Sequence, residues 1–189
     1  MKNKTVKTIE IKNKGGKNKT IEEKLKFVIP SMKYAKSYKD LINDGTKEKN
    51  LIERTEKISL EESKKEIGRK IKMIKNGQLV EIFAVTCNKV IGFAFAKRLN
   101  HPLLQHGANI GYRVHSKYRN KGIGKKMLKE LISRCKGKFE ILWAGTSSNN
   151  YPSKKLLLNA GFKIYGIAPN RFKAGKKYFK GIFLYKKLE

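Results

Sequence analysis

The sequence predicts a mixed α+β domain: a mostly antiparallel sheet of six to seven strands with helices on both faces. Three observations predict it. Short runs rich in Val, Ile, Phe and Tyr recur along the chain, bounded by Gly, Pro and Asn, as strands are. Between some of them lie segments whose apolar residues return at helical spacing. The resulting order, β-α-α-β-β-β-α-β-α-β-β, places strands next to each other in the middle, which suits a mixed sheet better than a doubly wound parallel one. A length of 189 residues with 39% hydrophobic content is enough for one domain around a packed interior.

In chain order, residues 1–24 carry Lys2, Lys4, Lys7, Lys12, Lys14, Lys17 and Lys19 around Gly15-Gly16 and read as a basic arm. The domain is expected over 25–189. Lys26 to Ile29 reads as a strand stopped by Pro30, and Ser31 as the cap of a helix reaching about Asn43. Asp44-Gly45 ends that helix, and the polar stretch Thr46 to Lys57 reads as a loop. Ser59-Leu60-Glu61-Glu62 is a capping box for a second helix, to about Lys75, closed by Asn76-Gly77. Leu79–Thr86 and Val90–Lys97 form a hairpin around Cys87-Asn88-Lys89.

Asn100 to Gly107 is a loop holding His101 and His106, and Ala108 to Val114 a strand running into a glycine turn. The helix after the turn carries Ile123, Met127, Leu128, Leu131, Ile132 and Cys135 on one face and stops at Gly137. Phe139 to Ala144 is a strand on which Trp143 reads as core. Pro152 opens a short helix to Asn159, stopped by Gly161. Phe162–Ile167 and Gly181–Lys187 are the last strands, joined by a basic loop from Pro169 to Lys177.

Composition excludes several classes. No apolar run approaches the roughly 20 residues of a membrane span, and the charged N-terminus lacks a secretory apolar segment. A cytoplasmic protein without membrane contact is expected. Cys87 and Cys135 stand alone and far apart, which suggests neither a disulfide framework nor a metal site. The net charge of +30 attracts anions and raises nucleic acid as a partner. Only seven of the 45 basic residues are arginine, however, and lysine-rich surfaces are commonly just solvated.

The densest stretch runs from Tyr112 to Leu128, a strand, a turn with Gly122 and Gly124, and a helix start. Such a turn gathers unpaired N–H groups at the positive end of a helix, a site for phosphate oxygens. Arg119, Lys121 and Lys125 add charge of the right sign, and the two glycines keep side chains away from a diphosphate. A P-loop would need glycine where Arg119 stands and Ser or Thr at Lys126; a dinucleotide fingerprint would need a small residue at Met127. Neither motif fits.

What remains is Arg119-x-x-Gly122-x-Gly124, with Asn150 26 residues on and then Ala160-Gly161-Phe162. On these residues the chain resembles the GNAT superfamily of acetyl-CoA-dependent N-acetyltransferases, in element order from Phe27 to Leu188 and in detail from Asn109 to Phe162. The resemblance implies a GNAT-like sheet and acetyl-CoA as co-substrate, with no metal. It implies that Asn120, Lys121, Gly122, Ile123, Gly124 and Lys125 hold the pyrophosphate, with Arg119 beside them. Tyr112, Arg113 and Val114 would pair with the pantetheine arm through their backbone, at a bulge whose amide polarises the thioester carbonyl. Asn150 would hold the arm from the other side.

Direct attack by an amine asks for a base, and often an acid. The positions where the family commonly has a glutamate and a tyrosine hold Asn109 and Leu157. The substitutes are Glu53 and Tyr151, with Glu81, His101 and His106 behind them; an ordinary solvated or capping role is the plain alternative for each. His115 is expected to pack at the cofactor's edge. Lys173, Lys176 and Lys177 read as a solvated basic loop open to an anionic acceptor.

The acceptor is expected to be a primary amine on a small molecule, a protein N-terminus or a lysine, and the +30 charge argues against polyamines. Lys180 stands where amino-acid acetyltransferases usually have an acid. The competing reading is a module that holds CoA and docks on RNA, DNA or a ribosome. A homodimer through the last two strands is a further possibility.

Overall fold

The computed structural model describes residues 25–45, 56–174 and 176–188; the expected basic arm, the 46–55 loop and Glu53 lie outside them. Seven strands form one sheet. They are β1 (Lys26–Val28), β2 (Leu79–Thr86), β3 (Lys89–Arg98), β4 (Gly107–Val114), β5 (Ile141–Ser147), β6 (Lys163–Ala174) and β7 (Lys177–Lys187). The spatial order is β1-β2-β3-β4-β5-β7-β6. Every neighbouring pair is antiparallel except β4 and β5. Helices α1 (Ala35–Gly45) and α2 (Leu60–Lys75) cover one face, α3 (Ile123–Cys135) and α4 (Tyr151–Asn159) the other.

The two-residue alternation of the strands builds both cores. Val80, Ile82, Ala84, Ala94 and Ala96 face α3, whose Met127, Leu128 and Leu131 fill that layer. Phe83, Val85, Val90 and Phe93 face the other way and meet Tyr38, Leu41 and Ile67 of α1 and α2. Ala84, Ala94 and Ala96 under α3, and Phe83 and Phe93 under α1, let both helical layers close on one sheet. Gly92 sets the closest approach, because a Cβ there would meet the Arg113 carbonyl oxygen at 2.8 Å and Met127 Sδ at 2.9 Å.

The capping box forms as its spacing requires. The Ser59 N–H donates to Glu62 Oε2 (2.7 Å) and the Glu62 N–H to Ser59 Oγ (3.1 Å). Ser59→Ala will cost about 1 kcal/mol, read in thermal unfolding. Ser31, by contrast, makes no side-chain cap; a 3-10 turn at Met32–Tyr34 intervenes and α1 begins at Ala35. Cys87 and Asn88 take φ of 45° and 57°, giving a tight two-residue hairpin turn.

Two strands end elsewhere than the sequence suggests. β5 starts at Ile141 and continues through Gly145-Thr146-Ser147, turn-like residues held extended by pairing with Phe183, Ile182 and Gly181. The expected basic loop from Pro169 to Lys177 is the outer half of a hairpin, with Phe172 opposite Phe179 and Lys173 opposite Tyr178. Cross-strand aromatic pairing outweighs the lysines there. Trp143 is only half-buried, its ring beside His106 (5.6 Å between ring centres) and over Gly107.

Glu81 is 2% exposed, and both its carboxylate oxygens accept from Lys70 Nζ (2.6 and 2.8 Å). That ammonium also sits 5.4 Å from the Tyr38 ring and 5.3 Å from the Phe93 ring. A carboxylate enclosed and neutralised in this way is a structural ion pair, which removes Glu81 from the possible bases.

Candidate active site

The lone parallel seam of the sheet is short. β4 and β5 pair at Gly107 with Ile141, Ala108 with Leu142, and Asn109 with Trp143, and nowhere beyond. Past Asn109, β4 stays with β3 to Val114 while β5 stays with β7 to Ser147. Two strand edges therefore diverge with no ladder between them, and such edges accept an extended polar arm as an added strand. Ile110, Tyr112 and Val114 pack with the α3 and α4 core, so Asn109, Gly111 and Arg113 alternate to the side of α1 and α2.

The glycine turn stands at the wide end of this gap. After a 3-10 turn at Ser116–Tyr118, Asn120 (φ 59°) and Gly122 (φ 73°) adopt left-handed backbone on either side of Lys121, and α3 starts at Ile123. The first N–H groups of α3 have no preceding helical turn to pair with, and its first turn holds no acid. A Cβ at Gly122 would meet nothing within 4 Å, so the space before these amides is open. A Cβ at Gly124 would meet Leu156 Cδ2 at 3.2 Å, so its bareness also lets α4 approach α3. An open amide cradle beside Arg119, Lys121 and Lys125 fits a diphosphate.

Arg119 is braced rather than loose, its Nε donating to the Val114 carbonyl (3.0 Å). That carbonyl is thereby engaged at the very end of β4. The register of β3 with β4 runs unbroken from Gly92–Val114 to Arg98–Ala108, so the expected bulge in β4 is absent. The bulge lies one strand over, between Ala84 and Val85 in the β2–β3 pairing, where the Ile91 carbonyl accepts the His115 N–H (2.9 Å). The Arg113 side chain turns into the protein and donates to the Ile42 carbonyl (3.3 Å), tying β4 to α1.

Asp44 was legible only as a helix stop, yet it holds the turn from below. Its Oδ2 accepts the Ser116 N–H and its Oδ1 the Ser116 hydroxyl, both at 2.7 Å, and His115 Nδ1 lies 3.5 Å away. Burial pushes its carboxyl up, but the two Ser116 hydrogen bonds and the nearby His115 and Arg119 outweigh this and leave it below the ordinary 3.8. A depressed folded-state value contributes stability that is full above 3.8 and fades as pH falls through the lower folded value. Asp44→Asn will therefore flatten the acid limb of a stability–pH profile below about pH 4. It will also loosen the Ser116 turn at neutral pH.

Across the gap, Asn150 caps α4: its Oδ1 accepts the Ser153 N–H (3.2 Å) and its own N–H donates to the Ser147 carbonyl (2.9 Å). The cap fixes the side chain at the end of β5 and leaves its Nδ2 as the remaining donor. The Tyr112 hydroxyl reaches Ser153 Oγ (2.8 Å), which ties β4 to the same helix start. Burial pushes the Tyr112 phenol up against that hydrogen bond, keeping it neutral.

The remaining candidates disperse. Tyr151 is 73% exposed at the first position of α4. Leu157 is 1% exposed in the α3/α4 core. His101 Nδ1 accepts the Leu103 N–H (3.3 Å), a capping role, and His115 rests edge-on to Tyr118. Asn109 is exposed on β4. Among the described residues no group of three or more His, Cys, Asp or Glu is placed to hold a metal. No helix among them is long and apolar enough to cross a membrane.

The described residues thus form a seven-stranded sheet split at a single parallel seam, with the start of α3 at the mouth of the split. Residues 50–162 match the Acetyltransferase (GNAT) family, and the chain belongs to that family. Among solved structures it is similar to an N-acetyltransferase from Staphylococcus aureus Mu50, with 20% identity, 87% of this chain and 99% of that one covered, and TM-score 0.77. It is likewise similar to a ribosomal-protein-alanine N-acetyltransferase from Brucella melitensis (21% identity; 87% and 100% covered; TM-score 0.77). A third likeness is to the microcin C7 self-immunity acetyltransferase MccE, solved with acetyl-CoA and AMP (19% identity; 86% and 92% covered; TM-score 0.74). At these identities the likeness speaks to fold alone. No curated protein matches.

Proposed function

We propose that this chain transfers the acetyl group of acetyl-CoA to a primary amine. The observation that carries the reading is the split seam between β4 and β5 with the open amide cradle at its wide end. Acetyl-CoA supplies a thioester that a neutral amine attacks directly. The chain's part is to hold and orient. Asn120, Lys121, Gly122, Ile123, Gly124 and Lys125 receive the diphosphate, with Arg119 beside them. The backbone of Tyr112, Arg113 and Val114 receives the pantetheine arm, and Asn150 closes on it from β5. With Glu81 enclosed, Leu157 in the core and Asn109 uncharged, no carboxylate among these residues deprotonates the amine. Solvent water fills that role, helped by a positive surface that favours the uncharged amine. Glu53, outside the described residues, is the carboxylate to test.

Acetyl-CoA is expected to raise the melting temperature of the protein, and an amine and peptide panel is expected to release thiol. No thermal shift would refute the cofactor assignment. Binding without thiol release on any amine would favour the second reading, a CoA-holding module docked on RNA or a ribosome, for which the +30 charge speaks. Salt-sensitive RNA binding would then support that reading. A cytoplasmic location accords with either.

A further inference from the structure

On the side of the sheet away from α3 and α4, an arginine stem lies over β7, the strand next to the β5 edge of the gap. In β7, Ile182 and Leu184 enter the α3/α4 core, so Gly181 and Phe183 face the opposite side. Gly181 pairs with Ser147, the last residue of β5, where the gap is widest. Arg171 lies across this glycine. A Cβ on Gly181 would meet Arg171 Cγ at 2.8 Å and Cβ at 3.0 Å, with Phe183 Cε2 at 3.3 Å. Arg171 gets there through a register break between Ala168 and Phe172, where Asn170 takes a φ of 54°.

The stem of Arg171 is thus seated on bare backbone beside an aromatic ring, while the residue stays exposed. Among the described residues it has no carboxylate partner. Lysines are the default cation in this chain, with arginine at only seven of 45 basic positions. The planar fork of arginine binds an oxyanion through two parallel hydrogen bonds, which a lysine cannot do. The expected anion-binding lysines of the outer hairpin are less well placed, since Lys173 is drawn over the Tyr178 ring at 5.2 Å.

We propose that Arg171 receives an oxyanion of the acceptor, so that the amine acetylated belongs to an anionic compound, an amino carboxylate or an amino phosphate. This rests on the gap being the acetyl-CoA site, and it names the acceptor class that site takes. Gly181 and Phe183 would seat the arginine stem beneath the bound anion.

The test uses the full chain saturated with CoA, with binding read by calorimetry. The probes are the N-acetyl amino acids against their carboxamides, and N-acetyl-O-phosphoethanolamine against N-acetylethanolamine. Wild type is expected to bind at least one anionic member about tenfold tighter than its neutral partner. Which set shows it separates carboxylate from phosphate. In Arg171→Gln the preference is expected to vanish, and in Arg171→Lys to fall part-way. Gly181→Ala keeps the charge but displaces the stem, and is expected to reproduce the loss. CoA affinity should be unchanged in all three. The proposal is overturned if wild type prefers no anionic member, or if Arg171→Gln keeps the preference. If CoA itself fails to bind wild type, the cofactor assignment beneath the proposal is what falls.

Discussion

Glu81→Gln will lose about 3 kcal/mol of folding stability, because it leaves the Lys70 ammonium enclosed without its counter-charge. The carboxylate is fully shielded and Lys70 nearly so, at 0% and 15% side-chain exposure, so water cannot replace the missing partner cheaply. The aromatic rings around the ammonium soften the loss without cancelling it. Replacing both partners, Lys70→Met with Glu81→Leu, will recover most of the stability, since a matched apolar pair carries no desolvation cost. Urea unfolding of the single and double variants checks both statements. A catalytic role for Glu81 would show instead as a folded, inactive Glu81→Gln enzyme, which this arrangement argues against.

The second large effect is at the cradle. Gly122→Val will weaken acetyl-CoA binding by about 100-fold, the loss of one or two charge-assisted hydrogen bonds to a diphosphate. Two causes add. A β-branched residue at φ 73° is strained, which costs the apo protein about 1–2 kcal/mol. The new side chain also occupies the open space in front of the α3 amides. Gly122→Asn tolerates left-handed backbone and will lose less affinity. Calorimetric titration with acetyl-CoA against thermal stability of the apo protein separates the two causes. Equal affinity in Gly122→Val would mean that the diphosphate binds elsewhere.

The order of all eleven elements could be read from the residues, because each is announced by local chemistry: the Ser59 box, the left-handed Cys87-Asn88 pair, Gly122 before α3 and Pro152 within α4. What stayed hidden depends on distant partners. Gly145-Thr146-Ser147 look like a turn until β7 pairs with them, and Pro169 to Lys177 look like a solvated loop until Phe172 meets Phe179. The residues proposed to hold the cofactor are one contiguous stretch plus Asn150, and so could be proposed from the sequence. Asp44 and Arg171 could not, since each acts on a residue brought close only by folding, Ser116 and Gly181. Trp143 was read as core from its strand, yet it remains half-open.

The seam of three residue pairs between β4 and β5 has a mechanical consequence. The sheet is two antiparallel ribbons, β1 to β4 and β5-β7-β6, joined by a hinge at Gly107–Asn109. Backbone amides of Ile110 to Val114 that point into the gap have no strand to protect them, so they will exchange with deuterium faster than the amides of the same strand that pair with β3. A pantetheine arm laid between the ribbons acts as a splint, and protection should spread from both edges at once. The cofactor would thus serve this chain as its missing strand, completing the sheet only while the enzyme is loaded.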